Sequence, residues 1–200
     1  MKMLKRVLCV FVVMMFALLF EASVFAQQLR LGAECFEEYL SRLEGKKVGL
    51  VANQTSIVRN EKGKLVHLLD TLLSLNVDVC CVFSPEHGFR GNVEAGASVQ
   101  SGRDSKTGVP IISLYGKNKK PRKEQIQVCD ILIFDLQDVG CRFYTYISTL
   151  HYVMEACSEN EIPLIVLDRP NPNDYVDGPV LEDRFKSFVG MHNVPVVYGL

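Results

Sequence analysis

The stretch Asp-Ile-Leu-Ile-Phe-Asp at residues 130–135 decides the fold class. Its apolar core is continuous and lacks the alternation of a half-buried strand, so it predicts a strand that is buried on both faces. Four more apolar runs of this kind occur along the chain, with amphipathic stretches between them. The pattern predicts an α/β fold, a doubly wound Rossmann-like layer with a mostly parallel sheet.

The predicted elements alternate along the chain. The predicted strands cover residues 47–52, 77–83, 109–114, 130–135 and 162–167. The predicted helices cover residues 33–43, 64–75, 122–128 and 146–159. The helix over 64–75 rests on leucines that recur at helical spacing on one face.

Composition excludes several classes of protein. The 200 residues include 22 Lys and Arg against 23 Asp and Glu, and 48% are hydrophobic. A nucleic-acid-binding surface needs clustered basic residues, so no nucleic-acid partner is predicted. The apolar fraction is too high for a disordered chain.

The first 26 residues have the pattern of a secretory signal peptide. A basic start with Lys2, Lys5 and Arg6 precedes an apolar run, and Ser-Val-Phe-Ala at residues 23–26 resembles a cleavage site. The apolar run is shorter than the roughly 20 residues that span a bilayer. We therefore expect export to the periplasm or beyond, without stable membrane insertion after cleavage. Residues 27–200 then form the mature domain.

Six cysteines lie beyond residue 26, and none has the sequence spacing of zinc ligands. The sequence predicts buried free thiols, no metal site and no cofactor. A G-x-G-x-x-G loop, a Walker A motif and a G-x-S-x-G elbow are all missing from the sequence.

The loops after the predicted strands carry the chemistry, because ligands of open parallel sheets bind at the carboxyl ends of the strands. Glu86 and His87 lie between Pro85 and Gly88, two residues that stiffen a turn. Such a turn can hold a general acid or base in place.

A second polar loop follows residues 130–135. Asp135, Gln137 and Asp138 form an acidic group there, and Arg142 either neutralises one of these acids or contacts a substrate. Tyr144 and Tyr146 are either a platform for a sugar or packing at the start of a helix.

Three motifs resemble those of one family. They are FSPEHGFRG at residues 83–91, FDLQDVGCRFYTY at residues 134–146, and LDRPNP at residues 167–172 with DGPV at residues 177–180. The chain resembles the bacterial exo-β-N-acetylmuramidases of the NamZ type, long catalogued as a domain of unknown function. The resemblance extends from about residue 46 to residue 200.

The resemblance implies an exo-acting glycoside hydrolase. Such an enzyme releases terminal N-acetylmuramic acid from the non-reducing ends of peptidoglycan fragments, in cell-wall recycling. It implies a Rossmann-like N-terminal domain, a smaller C-terminal domain and a site in the cleft between them. We expect this chain to be the N-terminal domain only, without the half of the cleft that the C-terminal domain supplies. No oligomeric state is predicted.

The resemblance also implies roles for individual residues. Glu86 is the expected general acid, helped by His87 as an orienting residue. The second group is Asp138, Asp135 or the acetamido group of the substrate. The expected binding residues are Arg90, Arg142 and Arg169 for the lactyl carboxylate, Asn53, Gln137 and Asn171 for sugar hydroxyls, and Tyr144 for the sugar ring.

Two alternatives remain open at this point. One is a non-catalytic module of the cell envelope that binds peptidoglycan or a sugar. A weaker one is a metal-dependent phosphoesterase that uses Asp135, Asp138, Asp168 and His87. The hydrolase interpretation requires the regions of Glu86, Asp138 and Arg169 to surround a single hollow.

Overall fold

A six-stranded sheet organises the protein, as seen in a computed structural model that describes residues 29–60, 62–91 and 101–199. The chain divides after Arg30, and every described element belongs to the unit that begins at Leu31. The strand order is β5-β6-β4-β1-β7-β8. These strands are β1 (Val48–Ala52), β4 (Val79–Ser84), β5 (Gly102–Arg103), β6 (Pro110–Ser113), β7 (Ile131–Asp135) and β8 (Leu164–Val166).

Helices and two small antiparallel sheets complete the described residues. The α-helices are α1 (Phe36–Tyr39), α2 (Leu68–Ser74), α3 (Lys123–Ile126) and α4 (Tyr146–Glu159). The 3-10 helices are Gly32–Glu34, Leu40–Arg42 and Asp183–Phe185. The small sheets pair β2 (Ile57–Arg59) with β3 (Leu65–His67), and β9 (Val176–Asp177) with β10 (Val197–Tyr198).

The central sheet is parallel except at one edge. Strand β1 lies between β4 and β7 and pairs with both in parallel, while β5 pairs antiparallel with β6. All five residues of β1 are buried. Successive residues of a strand face opposite sides, and Leu50 and Val51 accordingly enter two separate apolar clusters. The predicted α/β class and mostly parallel sheet are confirmed.

Two predicted helices differ from the structure. The chain over residues 65–67 is strand β3, and α2 begins only at Leu68. The reason is a β2–β3 hairpin, which the leucine spacing does not reveal. The predicted helix over 33–43 is broken into a short α-helix between two 3-10 turns.

His67 links this hairpin to the helix. It is the N-cap of α2, and its Nδ1 accepts a hydrogen bond from the Leu69 N–H at 3.2 Å. Its Nε2 lies 2.9 Å from the Asn53 carbonyl oxygen, to which it donates in this tautomer. Burial lowers the pKa of His67, so the ring is a neutral capping group.

The predicted signal peptide lies outside the described residues. Within the described ranges, none of the helices has both the length and the apolar character that crossing a bilayer requires.

Candidate active site

The turn after β4 presents Glu86 at the carboxyl edge of the sheet. His87 and Gly88 both adopt left-handed backbone conformations, with φ of 72° and 76°. The Gly88 N–H donates to the Pro85 carbonyl at 3.3 Å. A left-handed histidine costs of order 1–3 kcal/mol, and such strain is concentrated at functional sites.

The residues that follow fix this turn to the body of the domain. Phe89 is buried, and its ring meets that of His67 edge-on at 4.6 Å. The Arg90 guanidinium binds both carboxylate oxygens of Asp104, at 2.6 and 2.8 Å, and reaches Asp70 at 3.0 Å. The loop that carries Glu86 is therefore anchored to the rest of the domain by the residues that follow the turn.

Hydroxyl groups surround the Glu86 carboxylate. The Thr145 hydroxyl donates to Oε2 at 3.4 Å. A hydrogen bond with Glu86 also raises the pKa of Tyr115. In the described part of the chain, no lysine or arginine forms an ion pair with Glu86. Since a hydroxyl can donate or accept, these partners suit either protonation state of the carboxyl group.

An open hollow of about 260 Å³ adjoins Glu86, with His87 and an aromatic wall as its lining. Phe143 is 57% exposed and Tyr144 is 41% exposed. The Tyr144 ring meets that of Tyr146 edge-on at 6.2 Å. Aromatic faces beside a polar group are common in small-molecule sites, where they pack against apolar ligand surface.

A second, smaller hollow also borders Tyr146. Its volume is about 140 Å³, and Asp138, Asp168 and Arg169 contribute to its lining. Tyr146 lines both hollows. The expectation of a single hollow is therefore corrected: two hollows share one tyrosine, with Glu86 in the first and Asp138 in the second.

Asp138 is hydrogen-bonded on both carboxylate oxygens. The Val139 N–H donates to Oδ1 at 2.7 Å, and the Tyr198 hydroxyl donates to Oδ2. Burial, and then Asp138, raise the pKa of Tyr198. The Gln137 amide donates to the carbonyls of Asp138 and Pro170, each at 2.8 Å. Both N–H groups of the Gln137 side chain therefore donate to backbone carbonyls, and neither is available to bind a ligand.

Asp135 and Arg169 form a buried ion pair instead of facing a ligand. Their side chains are 0% and 4% exposed. The guanidinium contacts both carboxylate oxygens, at 2.6 and 3.0 Å, and also donates to the Ile57 carbonyl at 3.0 Å. Burial raises the pKa of Asp135, and Arg169 opposes that rise. Both expected roles, second catalytic group and lactyl-binding arginine, are replaced here by a structural one.

The other expected arginines are also engaged within the protein. Arg90 is held by the two aspartates described above. Arg142 donates from Nη1 to the carbonyls of Pro179 and Val194, at 2.9 and 2.7 Å. These contacts attach the second loop to the segment near β10, so the structure does not present either guanidinium as a free fork for a carboxylate.

The two expected asparagines support neighbouring groups. Asn53 is fully buried, and its Nδ2 donates to the Tyr146 hydroxyl at 2.9 Å. Burial, followed by the Glu86 charge, raises the pKa of Tyr146 to about 12. Asn171 lies so close to Gly140 that a Cβ there would stand 2.3 Å from its Nδ2. Asn53 thus holds Tyr146, and cannot reach a sugar in this arrangement.

The cysteines give one confirmation and one correction. All six described cysteines are free thiols, as predicted, but the expected burial holds only for Cys81, Cys129 and Cys157, since the other three are partly exposed. Their sequence spacing predicts no metal-ligand cluster, yet Cys80, Cys81 and Cys129 meet in space. In the described ranges, no aspartates and histidine come close enough together to hold a metal ion, so the structure gives no geometric support to the metal-dependent phosphoesterase alternative.

Three hydroxyl partners were missed by the sequence analysis: Tyr115, Thr145 and Tyr198. Tyr115 follows β6, so the rule that ligands bind at strand ends could have found it. Tyr198 is 60 residues from Asp138, and no local pattern indicates that contact.

Comparison with known proteins settles the family. Residues 48–200 match the family model described as "Exo-beta-N-acetylmuramidase NamZ, N-terminal". The chain belongs to the NamZ N-terminal family. It is 46% identical over 165 residues to a Bacillus subtilis (strain 168) protein named "Peptidoglycan beta-N-acetylmuramidase NamZ". That match covers 82% of this chain and 39% of the relative, so the chain spans about two fifths of the relative's length.

Two crystal structures of NamZ relatives share the fold. Both are DUF1343 family proteins of Bacteroides fragilis NCTC 9343. One is 46% identical with a TM-score of 0.72, over 85% of this chain and 43% of the other. The second is 42% identical with a TM-score of 0.74, over 86% of this chain and 43% of the other.

Proposed function

We propose that this NamZ-family chain provides the acid-bearing half of a peptidoglycan glycosidase. The enzyme would be exo-acting and would release N-acetylmuramic acid from the non-reducing ends of peptidoglycan fragments. The observation that carries the proposal is the Glu86 carboxyl group, which stands on a strained, anchored turn beside an open aromatic hollow. The printed name of the Bacillus subtilis relative supports the substrate class.

Glu86 is suited to donate a proton to the leaving glycosidic oxygen. Glycoside hydrolysis requires a carboxyl group that gives up a proton as the C–O bond breaks and regains it afterwards. The Thr145 and Tyr115 hydroxyls can hydrogen-bond to both forms of that group. A lysine or arginine in their place would hold the group in its ionised form.

The second reacting group is proposed to approach from the Tyr146 side. Asp138 is the carboxylate nearest this role, since it lines the hollow that shares Tyr146 with the Glu86 hollow. The Val139 N–H and the Tyr198 hydroxyl donate to its two carboxylate oxygens and hold the group in a fixed orientation. The substrate's acetamido group is the alternative second group.

A further, smaller domain is proposed to complete the cleft. The family model describes an N-terminal part, and the relatives are more than twice as long as the matched region. The internal engagement of Arg90, Arg142 and Arg169 supports a lactyl-binding cation from outside the described residues. Export by residues 1–26 remains part of this proposal.

The test compares Glu86→Gln with Glu124→Gln in the complete gene product. Glu124 lies exposed on α3, so its substitution is matched in chemistry and remote from the hollows. Hydrolysis of a chromogenic N-acetylmuramic acid glycoside should fall by about 10²–10⁴-fold in Glu86→Gln only. Undiminished turnover in Glu86→Gln would rule out the acid role.

Binding without turnover is the outcome that favours the alternative, a non-catalytic peptidoglycan-binding module. Calorimetric titration of muropeptides into the same complete protein measures binding directly. If muropeptides bind and no hydrolysis product forms over a prolonged incubation, the aromatic hollow is a recognition site and the enzyme proposal is wrong.

A further inference from the structure

Three thiols converge at the edge of the sheet opposite to the Glu86 turn. Cys80 and Cys81 are the second and third residues of β4, and Cys129 lies two residues before β7. The Sγ atom of Cys129 is 3.4 Å from that of Cys80 and 3.6 Å from that of Cys81. The remaining side of this triangle, between Cys80 and Cys81, measures 4.0 Å.

A β-bulge brings the adjacent cysteines to the same point. Neighbouring residues of a regular strand face opposite sides of the sheet. In the β1–β4 pair, however, Val48 is opposite Val79 and Gly49 is opposite Cys81, so Cys80 is the extra residue of a bulge. Bulges redirect side chains and are frequent beside functional sites.

Gly49 leaves room for the cluster in the central strand. A Cβ built at this position would lie 2.8 Å from the Cys129 Sγ. The Cys129 sulfur therefore occupies the space that the side chain of any residue other than glycine would fill at position 49. The three thiols can thus bridge β4 and β7 across β1, which separates them in the sheet.

We propose that Cys80, Cys81 and Cys129 form a binding site for a thiophilic d¹⁰ metal ion, zinc(II) or copper(I). Metal–sulfur bonds of about 2.3 Å at tetrahedral angles separate two sulfurs by about 3.8 Å, close to the three observed distances. On binding, each thiol releases its proton to solvent and no redox change occurs. Cys80 is half-buried, so a water can supply a fourth ligand to zinc.

The test adds metal alone to the full chain, reduced with a phosphine under anaerobic conditions. Zinc chloride is used in one arm and a copper(I)–acetonitrile complex in the other. One equivalent should remain after dialysis against a weak chelator. Cys129→Ala should weaken binding by more than about 100-fold, because loss of a ligand exceeds the 10–100-fold effect of losing an outer-shell partner. The control Cys157→Ala removes a buried thiol outside the triangle and should bind the metal as tightly as the parent chain does.

Alkylation of the unmodified chain gives a readout that does not depend on a variant folding. Bound metal should protect Cys80, the partly exposed thiol of the three, from iodoacetamide, while Cys35 and Cys141 react at an unchanged rate. X-ray absorption distinguishes sulfur-only copper from zinc with an added oxygen, and either result supports the site. Failure to retain either metal, or retention without protection of Cys80, would overturn the proposal. The proposal would also be overturned if Cys80 and Cys129 formed a disulfide and the chain bound no metal once that disulfide was reduced.

Discussion

Two carboxylates at the carboxyl edge of the sheet have opposite environments. Asp135 ends β7, is fully buried, and is bound by the Arg169 guanidinium through two hydrogen bonds. Glu86 follows β4, is half-buried, and has hydroxyl partners beside an open hollow. Both strands flank β1, so the ends of two strands on either side of it carry one buried structural charge and one carboxyl group beside an open hollow. The difference between the two carboxylates lies in their hydrogen-bond partners, a guanidinium for Asp135 and hydroxyl groups for Glu86.

The largest expected effect comes from removing the cation of the buried pair. Arg169→Met should destabilise the chain by about 3–5 kcal/mol, because it leaves the Asp135 charge buried and unpaired. Urea unfolding measures this loss. The control is Arg184→Met, which removes an exposed pair with Glu182 and should cost less than about 1 kcal/mol. Equal costs for the two variants would contradict the structural role of Arg169.

The next effect concerns the Arg90 pair, which anchors the Glu86 loop. The Arg90 guanidinium holds the pKa of Asp104 well below its usual range. The stabilisation that results is present above the unfolded-state pKa of about 3.9 and is lost as the pH falls below it. Asp104→Asn should therefore lose on the order of 2 kcal/mol at pH 7, and its deficit should shrink below pH 4.

Unfolding free energies of Asp104→Asn, the parent chain and the exposed control Asp174→Asn, measured from pH 7 to pH 2, test this prediction. A deficit that is the same at every pH would mean that the Asp104 charge contributes nothing.

A smaller effect is expected at the aromatic wall. Tyr144→Ala should lower kcat/KM on the muramic acid glycoside by about 5–10-fold in the complete protein, since an aromatic contact is worth about 1 kcal/mol. The conservative Tyr144→Phe should retain most of the activity, because the ring face remains. If Tyr144→Phe lost as much as Tyr144→Ala, the hydroxyl rather than the ring would be the contact.

The smallest effect reports directly on the Glu86 environment. The Glu86 carboxylate raises the pKa of Tyr115 through their hydrogen bond, because it stabilises the neutral phenol. Glu86→Gln should return that pKa toward the ordinary value of about 10. NMR titration of ring-labelled tyrosines follows this residue individually. An unchanged Tyr115 titration would show that the contact is absent in solution.

The buried strands were predictable because their signal is local. The run over residues 130–135 and the helix at residues 146–159 each reveal themselves within one element. Strand β3 was missed because Leu65 also fits the helical face of the leucines that follow it, and the decisive contact, the pairing of β3 with β2, lies in a different segment.

The candidate site follows the same division. Glu86 is indicated by its own turn, whereas the engagement of Arg169 by Asp135 depends on a contact over 34 residues. Arginine and aspartate in neighbouring loops look alike in sequence whether they bind a ligand or each other. The Cys80–Cys129 approach, over 49 residues, is hidden for the same reason.

The bulge at Cys80 has a consequence at the far end of its strand. Side chains of β4 alternate strictly after it, so the extra residue sets the parity of every position from Cys81 to Ser84. In a strand without the bulge, Val79, Cys81 and Phe83 would share one face, whereas here Val79 lies in one apolar cluster and Cys81 and Phe83 lie in the other. One backbone irregularity at the amino end of the strand thus lets the residues before and after it fill opposite layers of the core.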